Sequence, residues 1–287
     1  AGAYGWYTRD GKTVMRKRHN VTSKKKPTEG QREIQMGFAN EVLIWTLFGD
    51  KLEMAFEKQL RKPGETAFND FVSINERMFH LYLTKPMVQA RAMIIPPVII
   101  SRGSLNHSVQ YQRVGQNVVS NIKLGDLTID RNTTVAQFAA AVLENNAETL
   151  SKRHYIGFFH GHQYIDTNTH YPMGDITSGR VKLDGTVEDE QEQLVRDVSE
   201  LSLWSVTGEE GFHSVDGFLG TPYTENDLYA WIRIEKTLDN EYRCTNQRML
   251  GGDLTILEKY STKKAFEEAC DSYGGFSTST WPPSRTR

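Results

Sequence analysis

Only two cysteines, Cys244 and Cys270, occur in 287 residues. That excludes a disulfide framework and a structural zinc site of four thiolates, and points to a reduced, intracellular folding environment. No run of about 18 apolar residues is present, so no membrane span is expected. The N-terminal residues Ala1-Gly2-Ala3-Tyr4-Gly5-Trp6 lack a charged region followed by an apolar core and do not read as a signal peptide. Phosphate loops of the Walker and dinucleotide types, a Gly-x-Ser-x-Gly elbow and a metalloprotease helix motif are also missing. So is any repeat of fixed period. Nor is positive charge in excess: 34 Lys and Arg stand against 36 Asp and Glu, a net charge of −2, where a DNA-coating protein is usually basic overall. With these classes set aside, the sequence gives no reason to expect a catalytic residue, a cofactor or an enzyme.

The charge that is present is segregated. Nine lysines and arginines lie between Arg9 and Arg32, opposed only by Asp10 and Glu29. Residues 184–210 carry nine acidic side chains against Arg196 alone. A basic segment of this length cannot bury enough apolar surface to offset its own ordering entropy, so it is expected to be free or ordered by something acidic outside its fold. Aromatics are interleaved with the charge, and such side chains can insert into a groove or add a strand to a partner's sheet. The candidate interface residues are therefore Trp6, Tyr7, Arg16, Lys17, Arg18, Lys24, Lys25 and Lys26. They are expected to contact a neighbouring subunit, for which residues 184–210 offer an acidic surface, or alternatively the phosphates of a nucleic acid, the remaining reading being a solvated tail that aids solubility.

Behind the arm a helix start is legible, with Thr28 placed to cap and Gln31 to reach back. Apolar residues then recur at Ile34, Phe38, Val42, Trp45, Phe48, Leu52, Phe56 and Leu60, spacing that predicts an amphipathic helix kinked or divided at Gly49-Asp50. A second helix carries Ala67, Phe71, Ile74, Met78 and Leu81 on one face, and the two suggest an antiparallel hairpin whose apolar faces are core. After Pro96-Pro97 the pattern changes to strands near residues 98–105, 108–124, 154–165, 179–183 and 201–206, with a hairpin over 228–249 and a helix at 135–150. A last helix, capped by Ser261 or Thr262, brings Ala265, Phe266 and Ala269 toward that sheet. The expected class is α+β: an arm (1–27), a helical hairpin (28–95), a strand-rich body (96–275) of sandwich or barrel type with a division near 151–153 left open, and a tail (276–287).

Four of the eight histidines, His154, His160, His162 and His170, fall within seventeen residues. His160 and His162, two apart on a strand, would share a face and could chelate a metal with Asp166 as third ligand. With no matched second pair and aromatics between them, ordinary core or surface histidines are the expectation.

Trp6, the clusters Arg16-Lys17-Arg18 and Lys24-Lys25-Lys26, and the helix start Lys26-Pro27-Thr28-Glu29-Gly30-Gln31 resemble a protein family found in Bacteroidota genomes and crAss-like phages. Ala67-Phe68-Asn69 and Ile100-Ser101-Arg102-Gly103-Ser104-Leu105 are similar too, over about the first 105 residues, and Ala230-Trp231-Ile232-Arg233-Ile234 and Cys244-Thr245-Asn246-Gln247-Arg248 echo it weakly. The resemblance carries no activity and no catalytic residues. For phage members it implies a virion component of the tail or its collar. The expectation is then a structural subunit of a phage tail, hub or connector ring, located in the virion and assembling with its own copies and other virion proteins. The alternative is a nucleic-acid-binding module using the arm, and a metal-dependent hydrolase built on His160 and His162 stands third.

Overall fold

Two capping boxes fix the starts of the longest helices. In the computed structural model, which describes residues 4–9, 12–17, 26–189, 194–239 and 241–272, Gln31 N donates to Thr28 Oγ1 at 3.3 Å and Thr28 N to Gln31 Oε1 at 3.0 Å. Thr134 and Gln137 repeat the arrangement at 3.2 and 2.8 Å. Each box satisfies two N–H groups that a helix start otherwise leaves without partners.

The chain opens with strands β1 (Tyr4–Arg9) and β2 (Lys12–Lys17), followed by helices α1 (Glu29–Phe48), α2 (Asp50–Glu53), α3 (Ala67–Asn75) and α4 (Lys85–Gln89). Strands β3 (Ile99–Ser101), β4 (Tyr111–Val114) and β5 (Asn117–Lys123) lead to α5 (Val135–Asn145). Long strands β6 (His154–Ile165) and β7 (Pro172–Lys182) come next, then β8 (Thr186–Asp189), β9 (Leu194–Asp197) and α6 (Leu203–Thr207). The remainder is β10 (His213–Val215), β11 (Phe218–Pro222), β12 (Leu228–Lys236), β13 (Tyr242–Cys244), β14 (Gln247–Arg248), β15 (Leu250–Gly251), α7 (Thr255–Lys259) and α8 (Lys263–Ser272). After the β1-β2 pair come the helices, and antiparallel sheets dominate afterwards, an α+β fold. No sheet closes into a barrel among the described residues.

The central sheet runs β13-β12-β6-β7, with β15 also on β12. Period-two alternation splits its side chains between two cores. Tyr155 and Phe159 of β6 with Ala230, Ile232 and Ile234 of β12 face Ile44, Phe48, Phe56 and Phe71 from the helical region. Ile156, Phe158, Tyr229 and Trp231 face the other way, toward α5 and the β10-β11-β5-β4 sheet. The first helices and one face of the central sheet therefore share a core. A third cluster joins Leu83 and Met87 to Tyr260 and Phe266.

Several expectations need correction. The first long helix divides at Gly49, as its sequence suggested, where Gly49 takes a positive φ of 56°; the apolar pattern beyond it is not one continuous helix, since Leu52 reaches the core from the short α2 and Phe56 from the segment after it. The second stops at Asn75, whose side chain bonds the backbone of Phe71 and Ile99, and continues only as a 3-10 turn to Phe79. The two do run antiparallel: Gly37 meets Phe79, while Trp45 meets Phe68 and Phe71. Residues 201–206, expected as a strand, hold helix α6. Leu203 and Thr207, four apart, are the buried pair there, a spacing the six-residue alternation conceals. Phe266 packs on Tyr82 and Tyr260 rather than on the sheet of residues 228–249.

The arm carries structure of its own that charge alone did not reveal. β1 and β2 pair antiparallel, with Trp6 opposite Met15 and Tyr7 opposite Val14. Asp10-Gly11 between them is a strong short hairpin signal in the sequence. The acidic segment also contains a strand pair, β8 with β9.

Candidate functional site

The N-terminal half of helix α1 is turned against its own hydrophobic pattern. Its buried residues are Gly37, Asn40, Glu41, Ile44 and Phe48, whereas Ile34 and Phe38 of the expected core face are 70 % and 49 % exposed, with Val42 and Leu47 exposed beside them. The cause lies in Asn40. Its side chain donates to Ile94 O at 2.8 Å and accepts from Ile94 N at 3.0 Å, pairing a buried backbone unit that no strand serves. Gly37 sits where a Cβ would lie 2.3 Å from Phe79 O, so that face alone allows close approach. Over the first turns of α1 the core takes Gly37, Asn40 and Glu41 and leaves Ile34, Phe38 and Val42 outside, while Ile44 and Phe48 further along are buried.

Beside this stripe runs a groove of about 720 Å³ between α1, the turn after α3 and the start of α8. Ile34, Phe38 and Phe79 supply apolar wall, and Glu33, Glu41 and Glu76 supply acid. Glu41 is 2 % exposed, and its Oε1 has no hydrogen-bond partner among the described residues. Burial, reinforced by the charge of Glu76, pushes its carboxyl up to about 8. Lys263 at the rim is paired to Glu29 at 2.6 Å.

Of the arm residues singled out by sequence, Trp6 and Tyr7 lie on β1 and Arg16 and Lys17 on β2. Lys26 is exposed immediately before α1, and Arg18, Lys24 and Lys25 fall outside the described residues.

The second locus is histidine-based. β6 places His160 and His162 on one face, as their spacing required, but the acidic partner is Asp227, which precedes β12, not Asp166. Asp166 instead closes its own turn, accepting from Thr169 N and Oγ1 at 2.7 and 2.6 Å. Leu228 pairs with Gly161 across the strands, which brings Asp227 beside His162 although 65 residues separate them. His160 Nε2 lies 2.9 Å from Asp227 Oδ2, and His162 Nδ1 lies 2.7 Å from Oδ1. Tyr229 Oη donates to Oδ2 at 3.2 Å and stacks on His160 with ring centroids 4.9 Å apart. Thr177 Oγ1 is 3.3 Å from His160 Nδ1.

Burial pushes the Asp227 carboxyl up, yet the hydrogen bonds and charge of the two imidazoles outweigh it and hold the group below its ordinary value. Burial and that carboxylate push Tyr229 up to about 12, so it stays an O–H donor. The arrangement offers two nitrogens and a carboxylate to a cation, or an imidazole oriented by a buried acid.

His154 and His170 do not join the group. His154 Nδ1 accepts from Ser151 N at 2.9 Å, and His170 sits in the turn between β6 and β7 at a φ of 55°.

No family model, no curated protein and no solved structure matches this chain. The two loci are therefore interpreted from their own chemistry. No helix among the described residues is long and apolar enough to cross a membrane.

Proposed function

We propose that the protein is a structural subunit that assembles through the outer face of α1, with the basic N-terminal hairpin of a second copy seated in the adjoining groove. The orientation of α1 carries this reading: an amphipathic helix with Asn40 and Glu41 inside and Ile34, Phe38 and Val42 outside presents an unpartnered apolar stripe. The occupant follows from complementarity. The groove combines apolar wall with Glu33, Glu41 and Glu76, and the arm combines Trp6 and Tyr7 with Arg16, Lys17 and Arg18. Aromatic anchors would fill the apolar wall and the cations would meet the carboxylates. This acidic groove suits the arm better than residues 184–210, because it adds a concave apolar surface. A phage tail, hub or connector ring is the setting, and that placement in a virion rests on the resemblance of the first 105 residues. Homo-oligomers and contacts with other virion proteins follow from it, with no catalytic step.

Sedimentation of untagged full-length protein tests this. Wild type is expected to form oligomers at micromolar concentration, with Phe38→Glu and the charge reversal of Arg16, Lys17 and Arg18 each shifting it to monomer. A compact monomer at several hundred micromolar, or oligomers unaffected by either variant, defeats the proposal. Tight, salt-dependent binding of DNA by a monomeric protein, lost in the arm variant, would assign the arm to phosphates instead.

A further inference from the structure

The pairing of β6 with β12 leads beyond assembly. We propose that His160, His162 and Asp227 bind one divalent transition-metal ion of the zinc class. Their ligand atoms, two imidazole nitrogens and a carboxylate oxygen, all lie within 4.8 Å of one another. It is the one His, Cys, Asp and Glu group of that kind among the described residues. The donor set of two nitrogens and one oxygen suits zinc and its first-row neighbours, and leaves a fourth position for water.

The surroundings are those of a held site rather than a chance meeting. Coordination through His160 Nε2 requires its proton on Nδ1, and Thr177 Oγ1 is placed to accept it at 3.3 Å. Asp227 is fixed by Tyr229 Oη at 3.2 Å and by Gln163 N at 3.4 Å. The Tyr229 ring stacks almost parallel on His160, at an interplanar angle of 6°. His162 provides the way in, since its side chain is 44 % exposed while that of Asp227 is 3 % exposed. Asp175 stands directly opposite His162 on β7 and is exposed, so a second carboxylate borders the open side. Separations of 2.7 and 2.9 Å need to widen by about half an ångström around a tetrahedral ion with ~2.0–2.1 Å bonds. Small side-chain rotations supply that. The ion would tie the start of β12 to β6, the two strands at the middle of the central sheet.

Zinc titration of the untagged full chain against a chromophoric chelator, with cobalt substitution followed by visible absorption, tests the site. One equivalent of zinc and a cobalt spectrum of nitrogen and oxygen ligation are expected. His162→Ala and Asp227→Asn are each expected to lower zinc affinity by more than the roughly 10–100-fold that loss of an outer hydrogen-bond partner costs. Thr177→Val falls within that range, and His170→Ala leaves binding unchanged. Circular dichroism checks folding, and if Asp227→Asn does not fold, the half-exposed His162→Ala decides alone. No stoichiometric zinc in the wild type, or undiminished zinc in folded His162→Ala, overturns the proposal.

Discussion

Replacing Glu57 with alanine is expected to lower stability by about 2–4 kcal/mol, because it leaves the buried Cys244 N–H and the part-buried Ser104 N–H without their acceptor. Glu57 is 4 % exposed, and its Oε1 accepts from Ser104 N and Cys244 N, both at 2.7 Å. Those two segments are the Ile100–Leu105 and Cys244–Arg248 motifs, and the fold lays them side by side. Ser101 Oγ donates to Thr245 O at 2.6 Å, and Gly103 exchanges two bonds of 3.0 Å with the Asn246 amide. Arg102 N and Glu57 N complete the knot by donating to Ala55 O and Arg102 O, while the Arg102 guanidinium meets Asp70 at 2.5 Å. Gly103 is required by contact: a Cβ there would lie 1.9 Å from Cys244 O. The motif is thus a structural joint between the helical region and the sheet. Urea denaturation measures the effect. Glu57→Gln keeps an oxygen acceptor and is expected to lose only about 1–2 kcal/mol, since it forfeits charge but not the bonds. An alanine variant within about 1 kcal/mol of wild type would show that the two donors find other partners.

The same joint shows what a linear pattern can and cannot disclose. Local signals transferred well: the Thr28 and Gln31 box, the strand at His154–Ile165, and the hairpin made by β12 and β13 rest on residues close in sequence. The shared face of His160 and His162 followed from period two alone. Their partner did not, because Asp227 is delivered by strand pairing across 65 residues, and Asp166 was merely nearer in sequence. The orientation of α1 was hidden for a different reason. Periodicity identifies two faces, but which one is buried was decided by Asn40 bonding Ile94 and by Gly37 fitting against Phe79. Polar residues with a distant partner defeat the rule that the apolar stripe goes in. The apparent exception on α1 is also what leaves exposed the apolar stripe on which the proposed assembly rests.

Glu41→Gln is expected to stabilise the fold and weaken assembly, two effects of opposite sign from one substitution. The Glu41 carboxyl is raised from 4.5 to about 8, first by burial and then by the charge of Glu76. Below pH 4.5 the group is protonated in both folded and unfolded chains and costs nothing. Between pH 4.5 and 8 the unfolded chain releases the proton while the fold retains it, so the fold loses up to about 1.4 kcal/mol per pH unit. Above pH 8 the loss is complete and constant. Glutamine has no such titration, so the variant is expected to exceed wild type by on the order of 2–4 kcal/mol at pH 8.5 and to match it near pH 4. Urea midpoints across that range give the slope directly, and parallel profiles for the two proteins would remove Glu41 as its source. Assembly responds in the other direction. In the proposed docking a lysine or arginine of the incoming arm would favour the ionised carboxylate, so binding below pH 8 would release a proton and is expected to tighten as the pH rises toward 8. Glu33 and Glu76 line the same groove, and Lys263, already paired to Glu29, stands at its edge. Glutamine cannot ionise, so the variant's oligomers are expected to weaken about tenfold at pH 8 even as each subunit gains stability. A variant that gains stability and assembles like wild type would leave Glu41 as a strained core residue with no part in the groove.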